Sequence, residues 1–333
     1  SSTCISNHPP AFLCLFFSCF SMMLYTTQLH SNITVELQFQ GLLERLIIST
    51  LTTVLCCVFL FINVTMLFTL RSKPVFLETS RYVLLYNLLF ADTAQLVQSQ
   101  VLYLLAAYRI KLTYPLCGTL SLFANLVTVV SPLTLVVMSL ERYVAVCYPL
   151  RHAAIITVRN TAVAILLVWT FSSLSVLIRV FLLLRFPFDD LESLQMTDFC
   201  SAVAMLLGPL ADDYDKAYTC ILFVSAGVAI ISSYIGVMVA ARLASADKSS
   251  ASKARNTLLL HLVQLGLSLS STIFNPLLAV LSRVIPRLLL VRIVNVFYVC
   301  IVISPRCLTS LIYGLRDQTI RPVLMSHLCC RHS

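Results

Sequence analysis

Charged residues are scarce in this sequence, and that scarcity limits the class of protein. Asp, Glu, Lys and Arg make up 11% of the 333 residues, whereas hydrophobic residues make up 59%. A soluble domain carries about 25% charged residues on average. Together with a mean hydropathy of +0.92, the deficit excludes a soluble globular protein and indicates a surface that mostly faces lipid.

Glycine and catalytic motifs are also few or missing. Only 7 residues are Gly, so we expect few sharp turns and short loops. The 6 His residues are scattered, and no His-Glu-x-x-His, Gly-x-Ser-x-Gly or pair of intramembrane carboxylates occurs. We therefore predict that the chain is not an enzyme and that it holds no cofactor and no metal.

Long apolar segments fill most of the chain. Five carry no charge, and two carry a single one, Asp92 or Arg306. The segments are Leu46–Leu70, Tyr82–Tyr108, Leu112–Leu140, Asn160–Ile178, Ala217–Ala241, Asn256–Ser282 and Ile293–Leu315. A helix needs about 20 apolar residues to cross a membrane, and these segments are continuously apolar rather than alternating. The predicted fold is an all-α membrane protein, a seven-transmembrane helix bundle.

The distribution of charge predicts the orientation of this bundle. If Arg71, Lys73 and Arg81 lie inside, most other Lys and Arg residues of the loops also lie inside, and the acidic residues between positions 189 and 215 lie outside. The positive-inside rule then predicts a plasma-membrane protein with an extracellular N-terminus. The net charge of +9 needs no nucleic-acid partner, because anionic membrane lipid and an acidic cytoplasmic partner balance it.

The predicted organisation has three parts: an extracellular segment 1–45, a seven-helix domain 46–315 and a cytoplasmic tail 316–333 with a short amphipathic helix. Asn32-Ile33-Thr34 is a glycosylation sequon on the predicted outer side. The apolar stretch Ala11–Leu24 stays unassigned, either as a signal-like segment or as upstream sequence outside the working protein.

The strongest local signal is Met138-Ser-Leu-Glu-Arg-Tyr-Val-Ala-Val-Cys-Tyr-Pro-Leu-Arg-His152, at the inner end of the third span. It resembles the Met-Ala-Tyr-Asp-Arg-Tyr-Val-Ala-Ile-Cys-x-Pro-Leu signature of vertebrate odorant receptors, which are rhodopsin-like G-protein-coupled receptors. Further family signatures follow in order: Asn63, Asp92, Trp169, Ser233-Tyr234, Lys253-Ala254 with Thr257 and His261, and Leu311–Arg316. The resemblance covers about residues 30–330.

Some positions depart from the family pattern. Thr309-Ser310 stand where relatives have Asn-Pro, and Ser268-Leu269 stand where mammalian odorant receptors have an aromatic pair. Arg306 lies unexpectedly inside the last span. We interpret the chain as a divergent odorant receptor of the teleost type.

The resemblance implies a function and partners. It predicts a receptor that binds a small-molecule odorant within the helix bundle and activates a heterotrimeric G protein of the stimulatory, olfactory type, with arrestin as a further partner. The residues implied in coupling and activation are Glu141, Arg142, Tyr143, Tyr234 and Tyr313. The resemblance also implies a disulfide between Cys117 and Cys200, which would hold the long outer loop over the ligand pocket.

A ligand pocket is implied in the outer halves of three spans. Its candidate residues are Ala124, Asn125, Thr128 and Val129 of the third span, Phe223 of the fifth, and Ser271 and Thr272 of the sixth. Ordinary helix packing explains the same small and hydroxyl residues equally well. The position of Ala124 carries an Asp in receptors for amines, so we expect a neutral or weakly polar ligand instead.

A polar core is predicted around the two interior charges. Asp92 is a hub of the polar network in the family, and Arg306 cannot lose its proton in the membrane. We expect the two to form a buried ion pair whose hydrogen bonding is completed by Ser131 and Thr309, and we assign Asn63 to the same polar core. The alternative is that Arg306 turns towards backbone carbonyls and water.

Other interpretations stay open from the sequence alone. A rhodopsin-like receptor outside olfaction is one alternative, and a small-molecule transporter is a weaker one, since no inverted repeat is visible. Cys329-Cys330 is either a palmitoylation site or an unmodified pair.

Overall fold

The computed structural model describes residues 37–185, 195–196, 200, 205, 208–243, 248–281, 293, 295–317 and 319–328. Side chains are described in most of these ranges, but not at 37–45, 241–243, 248–254, 272–281, 307–309, 315–316 and 328. The described helices are α1 (Leu37–Ser72), α2 (Pro74–Leu77), α3 (Ser80–Ala107), α4 (Tyr114–Cys147), α5 (Pro149–Ile155), α6 (Val158–Leu184), α7 (Pro209–Leu243), α8 (Lys248–Leu281), α9 (Ser304–Arg316) and α10 (Ile320–Leu328). A π-helical turn, Tyr298–Ile303, leads into α9.

Seven of these helices form the bundle: α1, α3, α4, α6, α7, α8, and α9 with its π-helical turn. Four segments are by themselves long and apolar enough to span a membrane: Leu46–Ser72, Tyr114–Cys147, Val158–Leu184 and Pro209–Ala240. Large apolar side chains cover their outer faces; Leu166 is 66% exposed and Ile221 is 70% exposed. A surface of this kind needs lipid rather than water around it. The predicted all-α seven-helix fold is confirmed.

The second span, α3, is less apolar because it carries polar side chains on its inner face. Asn87, Asp92, Gln98 and Gln100 are all buried. Polar groups in a membrane helix face the bundle, since lipid offers them no hydrogen-bond partner. The composition of α3 is thus compatible with a lipid-exposed outer face.

Helix α4 lies at the centre of the bundle, in contact with α3, α6, α7 and α8. A polar contact fixes its position against the neighbouring helices. The Asn87 side-chain amide donates to Thr134 Oγ1 at 2.9 Å, and the Trp169 indole donates to Asn87 Oδ1 at 2.9 Å. Lipid tails are as apolar as the helix surfaces, so the hydrophobic effect does not drive helices together inside a membrane. Interhelical hydrogen bonds of this kind contribute to their association instead.

Several helix boundaries differ from the prediction. Helix α4 continues past Leu140 to Cys147, so Glu141 and Arg142 lie in its last two turns rather than beyond its end. The short helix expected in the tail 316–333 begins only at Ile320, because α9 continues to Arg316. The Asp317 carboxylate between them accepts hydrogen bonds from the backbone N–H groups of Thr319 (2.9 Å) and Ile320 (3.3 Å). This is helix N-capping, and it restarts the helix in a new direction.

The last span also departs from a regular α-helix. Its π-helical turn at Tyr298–Ile303 precedes Pro305 at the start of α9. Proline has no backbone N–H and cannot make the hydrogen bond to the carbonyl four residues earlier. A π turn accommodates such an interruption within the membrane, because the neighbouring backbone groups find other partners.

A disulfide joins Cys117, in the first turn of α4, to Cys200 of the outer loop. Both cysteines are buried together with Met196. The same loop also pairs with the chain before α4, where the Met196 N–H donates to the Leu112 carbonyl at 3.0 Å. Met196 and Cys200 are therefore held beside the first turn of α4.

We predict that Cys200→Ser destabilises the folded receptor by about 2–4 kcal/mol. The bond links residues 83 positions apart, and losing it frees a long loop in the unfolded chain. The midpoint of thermal aggregation, followed by fluorescence-detected size-exclusion chromatography, measures the change. Cys220→Ser is the control because Cys220 is free and exposed. Equal midpoints for the two variants would contradict the prediction.

Candidate functional site

The two interior charges of the bundle lie side by side. Arg306 Nη1 is 3.9 Å from Asp92 Oδ1, and both side chains are almost wholly buried, with 3% and 1% of their surface exposed. This distance is an ionic contact and too long for a direct hydrogen bond. The Ser131 hydroxyl of α4 donates to Asp92 Oδ1 at 2.8 Å, which gives the carboxylate a close partner from the third span.

The hydrogen bonds of the Arg306 guanidinium go to two serines of α8. Nη1 donates to Ser268 Oγ at 3.0 Å, and Nη2 donates to Ser271 Oγ at 2.9 Å. The two serines are three residues apart and so lie on the same face of the helix. Ser268 replaces part of the aromatic pair of relatives, and Ser271 was a candidate pocket residue. Neither Ser268 nor Ser271 was predicted to bind Arg306.

The first span joins this group through Asn63. Its amide donates to the Arg306 carbonyl at 3.1 Å, and its Oδ1 accepts a hydrogen bond from the Ser310 hydroxyl. We call Asn63, Asp92, Ser131, Ser268, Ser271, Arg306 and Ser310 the polar core. It connects α1, α3, α4, α8 and α9. The side chain of Thr309, the remaining predicted member, lies outside the described residues.

At the inner end of α4, the Arg142 guanidinium contacts its neighbouring carboxylate. Arg142 Nε lies 3.2 Å from Glu141 Oε2, with side-chain exposures of 19% and 8%. His152 of α5 approaches the other oxygen of the same carboxylate, with Nε2 3.8 Å from Oε1. Because Arg142 points to an internal acid, its charge is neutralised within the protein in this conformation.

The inner tyrosines contact different helices. The Tyr313 hydroxyl lies 2.8 Å from His261 Nε2, which joins α9 to α8. Tyr143 packs so closely on Gly236 of α7 that a Cβ at that position would overlap its ring. Tyr234 packs beside Tyr143 against the inner ends of α7 and α8. His261 was not predicted as a partner of Tyr313, although it lies within one of the family signatures.

The candidate pocket residues have different environments. Val129 and Phe223 are buried in the central apolar cluster. Thr128 accepts a hydrogen bond from Gln95 Nε2 at 2.9 Å, and Ala124 and Asn125 are half-buried. The side chain of Thr272 lies outside the described residues, as do Asn32, Cys329 and Cys330. Among the candidates whose side chains the structure describes, Ser271 is a member of the polar core.

A second charged contact lies at the outer ends of α6 and α7 and was missed by sequence reasoning. Arg179 Nη2 is 2.7 Å from Asp215 Oδ1, and the Arg179 side chain is 10% exposed. The guanidinium lies over the rings of Tyr214 and Tyr218, 5.3 and 5.0 Å from their centroids. Such cation–π contacts add to the ionic contact when water is excluded. The group joins the fourth span to the fifth.

The sequence of the chain matches a protein family over this same bundle. Residues 62–313 match the model for 7-transmembrane receptors of the rhodopsin family. The matched region includes at least part of each of the seven helices, and it contains the whole polar core and the Glu141–Arg142 contact. The chain therefore belongs to the rhodopsin family of seven-transmembrane receptors.

Within that family the chain is similar to odorant receptors. It is 32% identical to Odorant receptor 131-2 of Danio rerio over 83% of this chain and 84% of that protein. It is 25% identical to Olfactory receptor 4M1 of Mus musculus over 79% of this chain and 83% of that protein. It is also 25% identical to Olfactory receptor 4N4C of Homo sapiens over 91% of this chain and 95% of that protein. The predicted resemblance to vertebrate odorant receptors is confirmed.

The serines of α8 provide a test of the polar core. We predict that Ser268→Ala and Ser271→Ala each destabilise the receptor by about 1.5–3 kcal/mol, because a buried guanidinium loses an acceptor. Thermal unfolding of the purified receptor measures the change. Ser270→Ala is the matched control, since its hydroxyl is exposed and donates to the Gly266 carbonyl of its own helix. If all three variants unfold at the same temperature, the serines do not support Arg306.

Proposed function

We propose that this chain is an odorant receptor that binds a small neutral or weakly polar molecule and activates a stimulatory heterotrimeric G protein. The observation that carries the proposal is the buried contact of Arg142 with Glu141 at the inner end of α4. It lies in a chain whose relatives include odorant receptors of fish and mammals. The proposed orientation has the N-terminus outside, so that Arg142 faces the cytoplasm.

The proposed ligand lies between the outer halves of α4, α7 and α8. Ala124 leaves this part of α4 without a carboxylate, and the half-buried amide of Asn125 offers a hydrogen bond to a weakly polar group. Apolar Val129 and Phe223 lie deeper in the bundle. A site with mainly apolar walls and few polar groups suits a small volatile molecule better than a cationic amine.

Ligand binding would act on the G-protein site through the polar core. Ser271 belongs to the proposed pocket and also accepts a hydrogen bond from Arg306. A ligand that displaces α8 near Ser271 changes the contacts between α8 and α9, including the bond of His261 to Tyr313. Loss of that bond would allow the inner end of α8 to move. Arg142 would then leave its contact with Glu141 and bind the G protein instead. A ligand can shift this equilibrium only by binding the open state more tightly.

A screen with an odorant panel tests the proposal directly. The full chain, expressed at the surface of cells, is exposed to neutral, acidic and amine odorants, with cyclic AMP as the readout. We expect neutral or weakly polar compounds to raise cyclic AMP in a manner that depends on guanine nucleotide. A response confined to amines would contradict the proposed ligand class. Ligand accumulation in vesicles without nucleotide dependence would indicate a transporter instead.

We predict that Arg142→Ala abolishes the cyclic-AMP response but leaves the receptor at the cell surface. The arginine is needed for coupling, whereas the fold is held mainly by contacts elsewhere in the bundle. Surface density is measured by antibody binding to an N-terminal tag, and the response is measured at equal density. Arg159→Ala is the control, because Arg159 is an exposed arginine at the inner end of α6. Normal signalling by Arg142→Ala would refute the assigned role.

A further inference from the structure

The Glu141 carboxylate has two basic neighbours on different helices. Arg142 Nε of α4 lies 3.2 Å from one oxygen, and His152 Nε2 of α5 lies 3.8 Å from the other. The His152 ring is 36% exposed, but its Nε2 is buried and has no hydrogen-bond partner among the described residues. At 3.8 Å the ring and the carboxylate do not form a hydrogen bond. Their attraction therefore depends on whether the ring carries the extra proton that makes it a cation.

The turn between α4 and α5 holds His152 beside Glu141. Helix α4 ends at Tyr148, and Pro149 begins α5, where its missing N–H costs nothing. The Tyr148 ring contacts the Tyr143 ring edge-on, with centroids 6.0 Å apart, and α5 packs mainly against α4. The contact of His152 with the carboxylate thus joins two helices whose relative position is fixed by the chain.

The charges around the imidazole come mainly from α4. Glu141 attracts a proton on the ring, and Arg142, which contacts the same carboxylate, repels it. On α5 itself, Arg151 is exposed to solvent, which screens its charge. Beyond Arg142 stand a cation and an anion in contact with each other at 3.1 Å, Arg81 and Asp317. The other titratable side chains at this end of α4 carry no charge near neutral pH: Tyr143, Cys147 and Tyr148.

These two opposing effects change when Arg142 moves. In the arrangement of this structure, a proton on His152 is attracted by Glu141 and repelled by Arg142. In the active arrangement, Arg142 has left, so the attraction remains and the repulsion is gone. The proton therefore binds the active arrangement more tightly, and by linkage it shifts the equilibrium towards that arrangement. The effect is present at low pH and is lost as the pH rises.

Glu141 also needs a partner when Arg142 leaves. Its side chain is 8% exposed, and a buried charge that loses its partner is costly. We infer that His152 is a positioning residue that binds the Glu141 carboxylate after Arg142 leaves it, so that protonation of His152 favours the active receptor. The inference rests on the proposed role of Arg142 and adds to it a dependence on cytoplasmic pH. Histidine is the side chain that ordinarily gains and loses its proton in this range.

A titration of His152 tests the inference without any G protein. The full chain, with carbon-13-labelled histidine and a purification tag that contains no histidine, is placed in nanodiscs and followed by NMR. His152→Gln identifies the His152 signal. In Arg142→Ala, we expect this signal to titrate about 0.5–1 pH unit higher than in the wild type, because the repulsion is removed. In Glu141→Gln, we expect it to titrate lower, because the attraction is removed.

His327 is the internal control of this titration. It lies on α10, where its Nδ1 is 3.0 Å from Thr69 Oγ1. Its signal should titrate at the same pH in the wild type and in both variants. If the His152 signal also titrates at the same pH in all three proteins, the inference is overturned.

The pH profile of basal activity gives a second test. Purified receptor in nanodiscs catalyses nucleotide exchange on a stimulatory G protein, and the rate is corrected for exchange without receptor. Between about pH 7.5 and about pH 6.0, we expect the wild-type rate to rise about three- to tenfold, the range that one coupled proton allows. His152→Gln should give a low and flat profile. His152→Lys should give a high and flat profile, because lysine keeps its charge throughout this range.

His327→Gln is the matched control, since it removes another histidine of the inner side and should keep the wild-type profile. A rise with falling pH that persists in His152→Gln would overturn the inference. Normal exchange together with an unmoved titration of His152 in Arg142→Ala would contradict this inference alone. No exchange at any pH, even with an odorant, would contradict the proposed function and with it the role of His152.

Discussion

A positive charge that cannot be removed lies at the centre of this bundle, and the surrounding structure supplies its partners. Guanidinium keeps its proton even in low dielectric, so Arg306 needs an anion and hydrogen-bond acceptors inside the membrane. Asp92 contributes the anion, while Ser268 and Ser271 contribute the acceptors. The Asn63 amide donates a hydrogen bond to the backbone carbonyl of Arg306. Three other spans, α1, α3 and α8, are thus fixed around one residue of the last span.

In the proposed function, this arrangement places the charge between the ligand pocket and the G-protein site. Ser271 belongs to the proposed pocket, and the same helix, α8, carries His261, whose ring lies against the Tyr313 hydroxyl. A displacement of α8 therefore affects both the guanidinium and the Tyr313 contact. Buried ionic contacts contribute little net stability, but breaking one is costly. Such a group favours a small number of discrete arrangements, which is what a switch between resting and active receptor requires.

The fold could be predicted from the sequence because each of its determinants is local. The length of the apolar segments predicts the membrane spans, and the Glu-Arg-Tyr signature around Arg142 indicates the family. The proximity of Asp92 and Arg306 could be expected from their similar depth together with the family resemblance, which implies that the second and seventh spans are neighbours. The choice of Ser268 and Ser271 as hydrogen-bond partners could not be predicted, because it depends on the rotation of α8 about its axis. One residue of rotation turns a helical side chain by about 100°.

The same limit applies to the features that arise between elements. The π-helical turn follows from the way Pro305 is accommodated by neighbouring helices. In the sequence, Arg179 directly follows an uncharged segment and resembles the charges that commonly flank a membrane span. In the structure, it contacts Asp215 of the neighbouring helix. The start of α10 depends on the capping carboxylate of Asp317. The Arg179–Asp215 contact joins residues whose relative positions no local pattern contains, whereas the Asp317 cap is a local signal that the sequence does contain.

A double-mutant cycle on the central ionic contact tests this account most directly. Asp92→Asn, Arg306→Gln and the double variant are purified, and their free energies of unfolding are compared with that of the wild type. Each single change strands a polar or charged group, at a typical cost of about 3–5 kcal/mol. The account predicts that the double variant loses less than the sum of the two single losses, by more than about 1 kcal/mol. Additive losses would contradict it, because they would mean that the two charges do not interact.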